Sequence, residues 1–454
     1  MKKISFLFSF LSITTVGFGQ EAKLPKNWFN LDLAKDGVFG VSSEKAYQEL
    51  LGGKKTKTVI VAVIDSGVDT QHEDLKDKIW VNAGEIPNNG IDDDKNGFID
   101  DVNGWDFIGG KDGTDIKDET LELTREYKRL KNKYLKIGKD STNDVEFEYY
   151  KKVRTDYNAK LAENTQYLNA YQSMFKSIDA ATTILKTNLN KTELTEKDFE
   201  VNTDDDKKTK AAKQLLFYYN SKGVSYQKLK DGVDDLEGKA KIGFNLDYDS
   251  RKIIGDDPKS LTESNYGNAE VRGPDATHGT HVSGIIAANR DNNIGINGIA
   301  NDVKIMVIRA VPNGDERDKD VANAIKYAVN NGAKIINMSF GKSLSPQKEI
   351  VEKAVAYAEL KGVLLVHAAG NDSQNIDEGD NFPTAKRTKG SKPNNWIEVG
   401  ASSTLDNEEL AATFSNYGKK EVTLFAPGTT ILSCTPDSKY LEEEIGRASC
   451  RERV

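Results

Sequence analysis

The chain has 454 residues, enough for two or three domains and a sizeable buried core. Charged residues make up 30% of it, and Asp plus Glu outnumber Lys plus Arg by 71 to 63, for a net charge of -8. That balance argues against the basic face with which proteins meet nucleic acid or anionic membranes. The two cysteines, Cys434 and Cys450, exclude a fold held by a disulfide framework.

The first residues, MKKISFLFSFLSITTVGFGQ, have the form of a secretory signal peptide over 1–19. Lys2 and Lys3 supply the positive end, Ile4 to Val16 the apolar stretch, and Gly17 and Gly19 the small residues at a cleavage site. The apolar run is too short for a membrane anchor, and no later stretch is long enough to span a bilayer. The expected location is therefore outside the cytoplasm: secreted, periplasmic or on the cell surface. Residues 20–57 form a leader without an obvious inhibitory prodomain.

From there the pattern is α/β. VIVAVIDSG (59–67), VKIMVIRAV (303–311), AKIINMSF (333–340), GVLLVHAAG (362–370), WIEVGAS (396–402) and EVTLFAPG (421–428) are short Val- and Ile-rich runs. Such runs are expected of strands buried on both faces of a parallel sheet. DVANAIKYAVNNG (320–332) places Val321, Ala324, Ile325 and Ala328 on one helical face, with Gly332 as its cap, and QKEIVEKAVAYAELKG (347–362) repeats the design. Alternating strand and helix predicts a doubly wound, mostly parallel sheet over 58–110 and 266–443, with its site at the carboxyl ends of the strands.

Asp65 ends the first strand, where Asp most often caps a helix or makes a turn. Soon after it, NGIDDDKNGFIDD (89–101) places Asp92, Asp94, Asn96, Gly97 and Asp100 in the spacing D-x-D-x-N-G-x-x-D, the first nine positions of an EF-hand calcium loop. The twelfth position is Asn103, so a bidentate Glu is absent or replaced from elsewhere, with Asp101 as one candidate. An acidic surface turn is the plain alternative. Calcium is favoured because clustered carboxylates repel without a cation.

The stretch 111–265 differs in composition: rich in Lys, Glu, Asp and Tyr. Tyr150, Val153, Tyr157, Leu161, Leu168, Tyr171, Phe175 and Ile178 recur at helical spacings and predict one long amphipathic helix, followed by a second at 207–220. A helical hairpin packed on itself or on the α/β core is expected, with partial disorder as the alternative. Its aromatic stripe reads as packing. Beyond it, ATHGTHVSGIIAA sets His278 and His281 one turn apart at a helix start, with Gly279 allowing close backbone approach. A metal pair is the other meaning of two such histidines, but no acidic ligand stands at the zincin spacing. Further on, Asn371 follows Gly370 after a buried strand; it could aim an amide into a cleft or simply make a Gly-Asn turn.

Taken together, VIDSGVD, HGTHVSG and AAGN resemble the subtilisin-like serine proteases, peptidase family S8, over roughly 58–107 and 266–440. The resemblance implies Asp65 as the triad aspartate, His278 as general base, His281 as structural and Asn371 as oxyanion donor. NMSFG (337–341) resembles the family's substrate strand, which would place Ser339, Phe340 and Gly341 along one wall of the cleft, with Gly370 beside it. SNYG (415–418) and APGTTILSCTP (426–436) also fit. The implied activity is hydrolysis of polypeptides through an acyl-enzyme. A catalytically inactive protein that binds peptides or partners, and a calcium-dependent adhesion protein, are the rival classes. Because 213 positions separate Asp65 from His278, the insert must sit beside the cleft, as a lid, a substrate-selecting arm or a decoration.

The family's nucleophile stands in a Gly-Thr-Ser-Met-Ala segment downstream of the Ala-Pro-Gly stretch, which here falls near Arg447. No such segment occurs in the sequence, and Ser449 lacks the small neighbours it needs. The final EIGRASCRERV resembles one reading frame of a common short-read sequencing adapter. On that resemblance the gene continues past about Glu443, residues 444–454 are foreign, and the nucleophile is missing from the chain.

Overall fold

In the computed structural model, residues 24–137, 145–222, 224 and 226–443 are described. The signal peptide and the 444–454 tail lie outside the described residues. Seven parallel strands form one sheet: β1 (Val59–Asp65), β2 (Gly104–Asp106), β3 (Val303–Arg309), β4 (Ile335–Met338), β5 (Leu364–Ala368), β6 (Trp396–Ser402) and β7 (Leu424–Pro427). Their order is β2-β3-β1-β4-β5-β6-β7. The expected doubly wound, parallel architecture is thus present, with β1 near the centre. An antiparallel hairpin, β8 (Ile431–Thr435) and β9 (Lys439–Glu443), follows the sheet.

Alternation along the strands sorts side chains between two cores. Ala62 and Ile64 face Ile308, Ile336 and Met338, together with the helices α6 (Asp318–Asn330) and α7 (Lys348–Leu360). Val61 and Val63 face the opposite way, against Ile305, Val307 and helix α5 (Thr277–Ala287). Val321, Ala324, Ile325 and Ala328 are all buried, as the helical spacing requires. The leader adds Trp28 and Phe29 to the α5 face, where the Trp28 indole donates to the Thr430 carbonyl at 2.9 Å.

The insert contains α1 (Glu122–Ile137), α2 (Val145–Leu189), α3 (Lys207–Ser221) and α4 (Tyr226–Gly238). The long helix, α2, has 45 residues, and α1, α3 and α4 pack along it. Two apolar clusters divide it. Near the core, Leu130 and Tyr134 of α1 meet Tyr150 and Val153 of α2. Farther along, Ile178, Ala181 and Leu185 meet Ala212, Leu216 and Leu229. The distal cluster shares no residue with the two sheet cores, so it is a satellite core of its own.

The Asn164 side chain donates to the Leu236 carbonyl at 3.2 Å, which brings the two ends of the distal lobe together. Replacing residues 165–235 by a short Gly-rich loop should therefore remove helical signal in circular dichroism while leaving the thermal midpoint of the remaining protein within about 3 °C. Loss of cooperative unfolding in that variant would show that the lobe is needed by the sheet.

Candidate active site

At the carboxyl end of β1, Asp65 is 2% exposed. Its Oδ1 accepts from the Ser66 amide at 2.7 Å, and both carboxylate oxygens face His278 Nδ1, at 2.7 and 2.9 Å. A carboxylate here can only accept, so the imidazole carries its proton on Nδ1 and keeps Nε2 as its basic nitrogen. Two glycines permit the approach. Gly67 has φ 128°, and a Cβ there would lie 2.1 Å from the Arg272 carbonyl oxygen; a Cβ on Gly279 would lie 2.2 Å from the Gly67 carbonyl oxygen. Helix α5 can thus press its first turn against the end of β1.

Beneath this pair lies Arg309, the register partner of Asp65 on β3. It is 2% exposed. Its Nε donates to the Ser66 carbonyl at 2.9 Å, one terminal nitrogen pairs with Asp106 at 2.6 Å, and the other bonds the Ile116 carbonyl. It ties the Asp65 turn to β2 and to the start of the insert. As one basic residue at the end of the apolar run VKIMVIRAV, it showed no sign of this role in the sequence.

His281 bonds through Nε2 to the carbonyls of Ile431, at 3.1 Å, and Leu441, at 3.2 Å. It therefore joins α5 to the β8–β9 hairpin. Burial and the neighbouring His278 lower its pKa to about 4.

The carboxyl ends of β4 and β5 lead to the remaining candidates. Gly370 has φ 98°, and a Cβ on it would meet the Asn416 amide nitrogen at 2.4 Å. Asn416 holds the Asn371 loop from both sides: its Nδ2 donates to the Ala369 carbonyl at 2.9 Å, and its Oδ1 accepts from the amides of Asp372, at 2.8 Å, and Gln374, at 2.9 Å. Ser339, Phe340 and Gly341 continue β4, whose Met338 is in register with Ile64 of β1. Phe340 is 3% exposed and belongs to the core. Along a cleft wall, only its main chain is available.

A profile of the subtilase family, Peptidase_S8, matches residues 56–447. The chain belongs to this family. It is 35% identical over 228 residues to the thermophilic serine proteinase of Bacillus sp. (strain AK1), a match covering 48% of this chain and 47% of that protein. Similarity to the major intracellular serine protease of Bacillus subtilis (strain 168) is 35% over 226 residues, 48% of this chain and 64% of the relative. With the halolysin of Haloferax mediterranei it is 40% over 169 residues, 37% and 30% respectively. The matched stretch covers less than two thirds of each relative. Among the described residues of this subtilase, no helix is long and apolar enough to cross a membrane.

The subtilase chain carries its acidic loop before β2. Glu85, Asp92 and Asp94 bring carboxylate oxygens within 4.8 Å of one another. Two of these were expected from the spacing; Glu85, seven positions ahead of Asp92, was not. Asp100 instead caps the amides of Asn89, at 3.0 Å, and Gly90, at 2.9 Å. Asn96 spends its side-chain amide on Asp94 and Asp101. Asp101 is buried, bonded to Tyr327 and Asn82, with its carboxyl pushed up to about 6 by burial. Asn103, at the twelfth position, donates to the Trp80 carbonyl.

The His281 environment has a measurable consequence. Its folded pKa lies below the ordinary value of 6.5, so between pH 6.5 and about 4 the unfolded chain takes up a proton that the folded ring refuses. Stability should fall over that window as the pH drops, by on the order of 3 kcal/mol from this group alone. Urea unfolding at pH 7 and pH 4.5 measures the loss, and His281→Asn should flatten it.

Proposed function

We propose that the protein is an exported serine endopeptidase that hydrolyses polypeptides through an Asp-His-Ser triad, with its serine supplied by sequence that follows Glu443 in the full gene product. The observation that carries this reading is the buried Asp65 carboxylate on His278 Nδ1 at 2.7 Å, in a chain of the subtilase family. Export is supported by the signal-peptide pattern of residues 1–19.

In this mechanism His278 Nε2 takes the serine hydroxyl proton as Oγ bonds to the peptide carbonyl carbon. Asp65 holds the ring in the right tautomer and stabilises the imidazolium. The carbonyl oxygen becomes an oxyanion, to which the Asn371 amide donates; one such donor contributes roughly 3–4 kcal/mol. The C–N bond then breaks and His278 returns its proton to the departing amine. Water, deprotonated by the same nitrogen, repeats the sequence on the acyl-enzyme and frees the serine. The main chain of Ser339–Gly341 would pair with an extended substrate, with Gly370 across the cleft.

Glu85, Asp92 and Asp94 would hold a calcium ion, since hard carboxylate oxygens grouped within 4.8 Å suit that cation. Bound there, it would neutralise the cluster and brace the loop leading into β2.

The 454-residue chain should hydrolyse no casein, because the pair has no nucleophile to activate. Sequencing the gene beyond the Tyr440 codon should show a Gly-Thr-Ser-Met-Ala segment, and the protein carrying it should cleave casein until a serine-directed inhibitor is added. In that protein Asp65→Asn should lower kcat by about 10⁴-fold, and Asn371→Leu by about 10²–10³-fold. No cleavage with the segment in place favours the inactive peptide-binding alternative, and inhibitor-resistant cleavage excludes the serine mechanism.

Calcium has a separate readout in thermal unfolding. A ligand bound by the folded state alone raises stability with the logarithm of its concentration. Chelation should lower the melting midpoint, and either Asp94→Ala or Glu85→Ala should remove the response. Identical midpoints with and without chelator would exclude the site.

A further inference from the structure

The segment that continues β4 ends on Lys342, which is 4% exposed. Three acceptors take the three ammonium protons: Glu122 Oε2 at 2.8 Å, the Glu316 carbonyl at 2.7 Å and Asp318 Oδ1 at 2.9 Å. Glu122 opens α1, so one of these partners comes from the insert; Asp318 opens α6. Burial opposes a charge on Lys342, but Glu122 and then Asp318 outweigh it and hold its pKa above the ordinary value. Burial also pushes the Glu316 carboxyl up to about 8.

The main chain of Lys342 is fixed as well. Its amide donates to the Phe382 carbonyl at 3.0 Å, and its carbonyl accepts from the Phe382 amide at 2.9 Å. Next to Phe382, Asn381 lies against Gly341, where a Cβ would sit 2.3 Å from its Oδ1. Asn381 Nδ2 donates to the Ala368 carbonyl at 2.9 Å, three residues before Asn371. A continuous set of contacts thus runs from the insert, through Lys342, to both segments that the proposed mechanism uses to hold substrate.

On the proposed protease function, we infer that Glu122 of the insert is a positioning residue for peptide binding: through Lys342 it holds Ser339–Gly341 in the extended line that a substrate strand needs for main-chain pairing. Glu122 touches no substrate. Its effect follows from the cost of a buried ammonium that loses a counter-charge. Without Glu122, Lys342 keeps Asp318 and one carbonyl, and the strain is relieved by moving the main chain on which Lys342 sits. Strand addition depends on a row of aligned amides and carbonyls, so extended peptides are affected and small substrates are not.

The test uses the full gene product and Glu122→Gln, which keeps the side chain's shape and removes its charge. KM for a hexapeptide anilide should rise about tenfold, since only a fraction of the cost of breaking a buried charge pair is passed to the substrate strand. The kcat for a small activated ester, and the burst that counts working sites, should change less than about twofold. Glu122→Asp should restore part of the peptide affinity; should Glu122→Gln not fold, Glu122→Asp against wild type carries the same comparison. Hydrogen exchange supplies a readout free of catalysis: the amides of Lys342 and Phe382 should exchange about tenfold faster in the variant, while those of β3 stay protected. Equal losses on ester and peptide, or unchanged exchange at Lys342, overturn the inference. If wild type cleaves neither substrate, the protease function fails, and exchange alone decides the role of Glu122.

Discussion

Asp65 and His278 are 213 residues apart in the chain and 2.7 Å apart in space. The chain between them must leave the sheet and return to nearly the same place. It does so at the β2 edge, where Asp106 and Asn268 exchange amide-to-carbonyl bonds at 2.9 and 3.1 Å and the Trp105 indole donates to the Tyr266 carbonyl at 2.8 Å. With its ends stitched together, the length of the excursion costs little, since loop-closure entropy grows only logarithmically. The insert can lengthen without pulling the carboxylate from the imidazole.

The root of the insert is nevertheless part of the α/β body. Arg317 pairs with Glu119, Lys342 with Glu122, Asp320 with Arg251, and Lys319 with Asp256 and Glu263. In each case one partner belongs to the sheet's helices and loops and the other to 111–265. Buried ions cost several kcal/mol each when a partner is removed. Deleting all of 111–265 would therefore take these counter-charges from Arg317, Asp320 and Lys319 and leave Lys342 with Asp318 alone, whereas cutting between Asn164 and Leu236 removes none of them. The high charge of this segment allows a disordered arm as one interpretation, but much of that charge near the root faces inward as counter-ions.

The strands of the sheet were legible because a parallel strand buried on both faces reads as an apolar run, and six such runs became β1 and β3 to β7, although β7, at the sheet edge, leaves Leu424 and Phe425 exposed. The same rule hid β2, which is the three residues Gly104–Asp106 with no apolar period. Asp65 and His278 were legible as a motif, and their contact could not be read from either residue type alone. The acidic loop was half legible. Spacing within the loop selected Asp92 and Asp94, but a loop can be closed by any carboxylate the fold brings near, and Glu85 comes from the preceding turn. Asp100 sits at the ninth position yet has φ 56° and faces the 89–90 turn. Phe340 shows the opposite limit: a motif places a residue along a wall without saying which way its side chain points.

The β8–β9 hairpin packs on the histidine helix. Ser433 Oγ donates to the His281 carbonyl at 2.7 Å, and a Cβ on Gly284 would lie 2.3 Å from the same oxygen. β8 therefore rests directly on α5, and β9 is fixed beside it by the His281 bond to Leu441. His281 lies one turn after His278 on the same helix. The hairpin is thus held by a buried histidine on the helix that carries His278. The ring that holds the hairpin stays uncharged down to about pH 4.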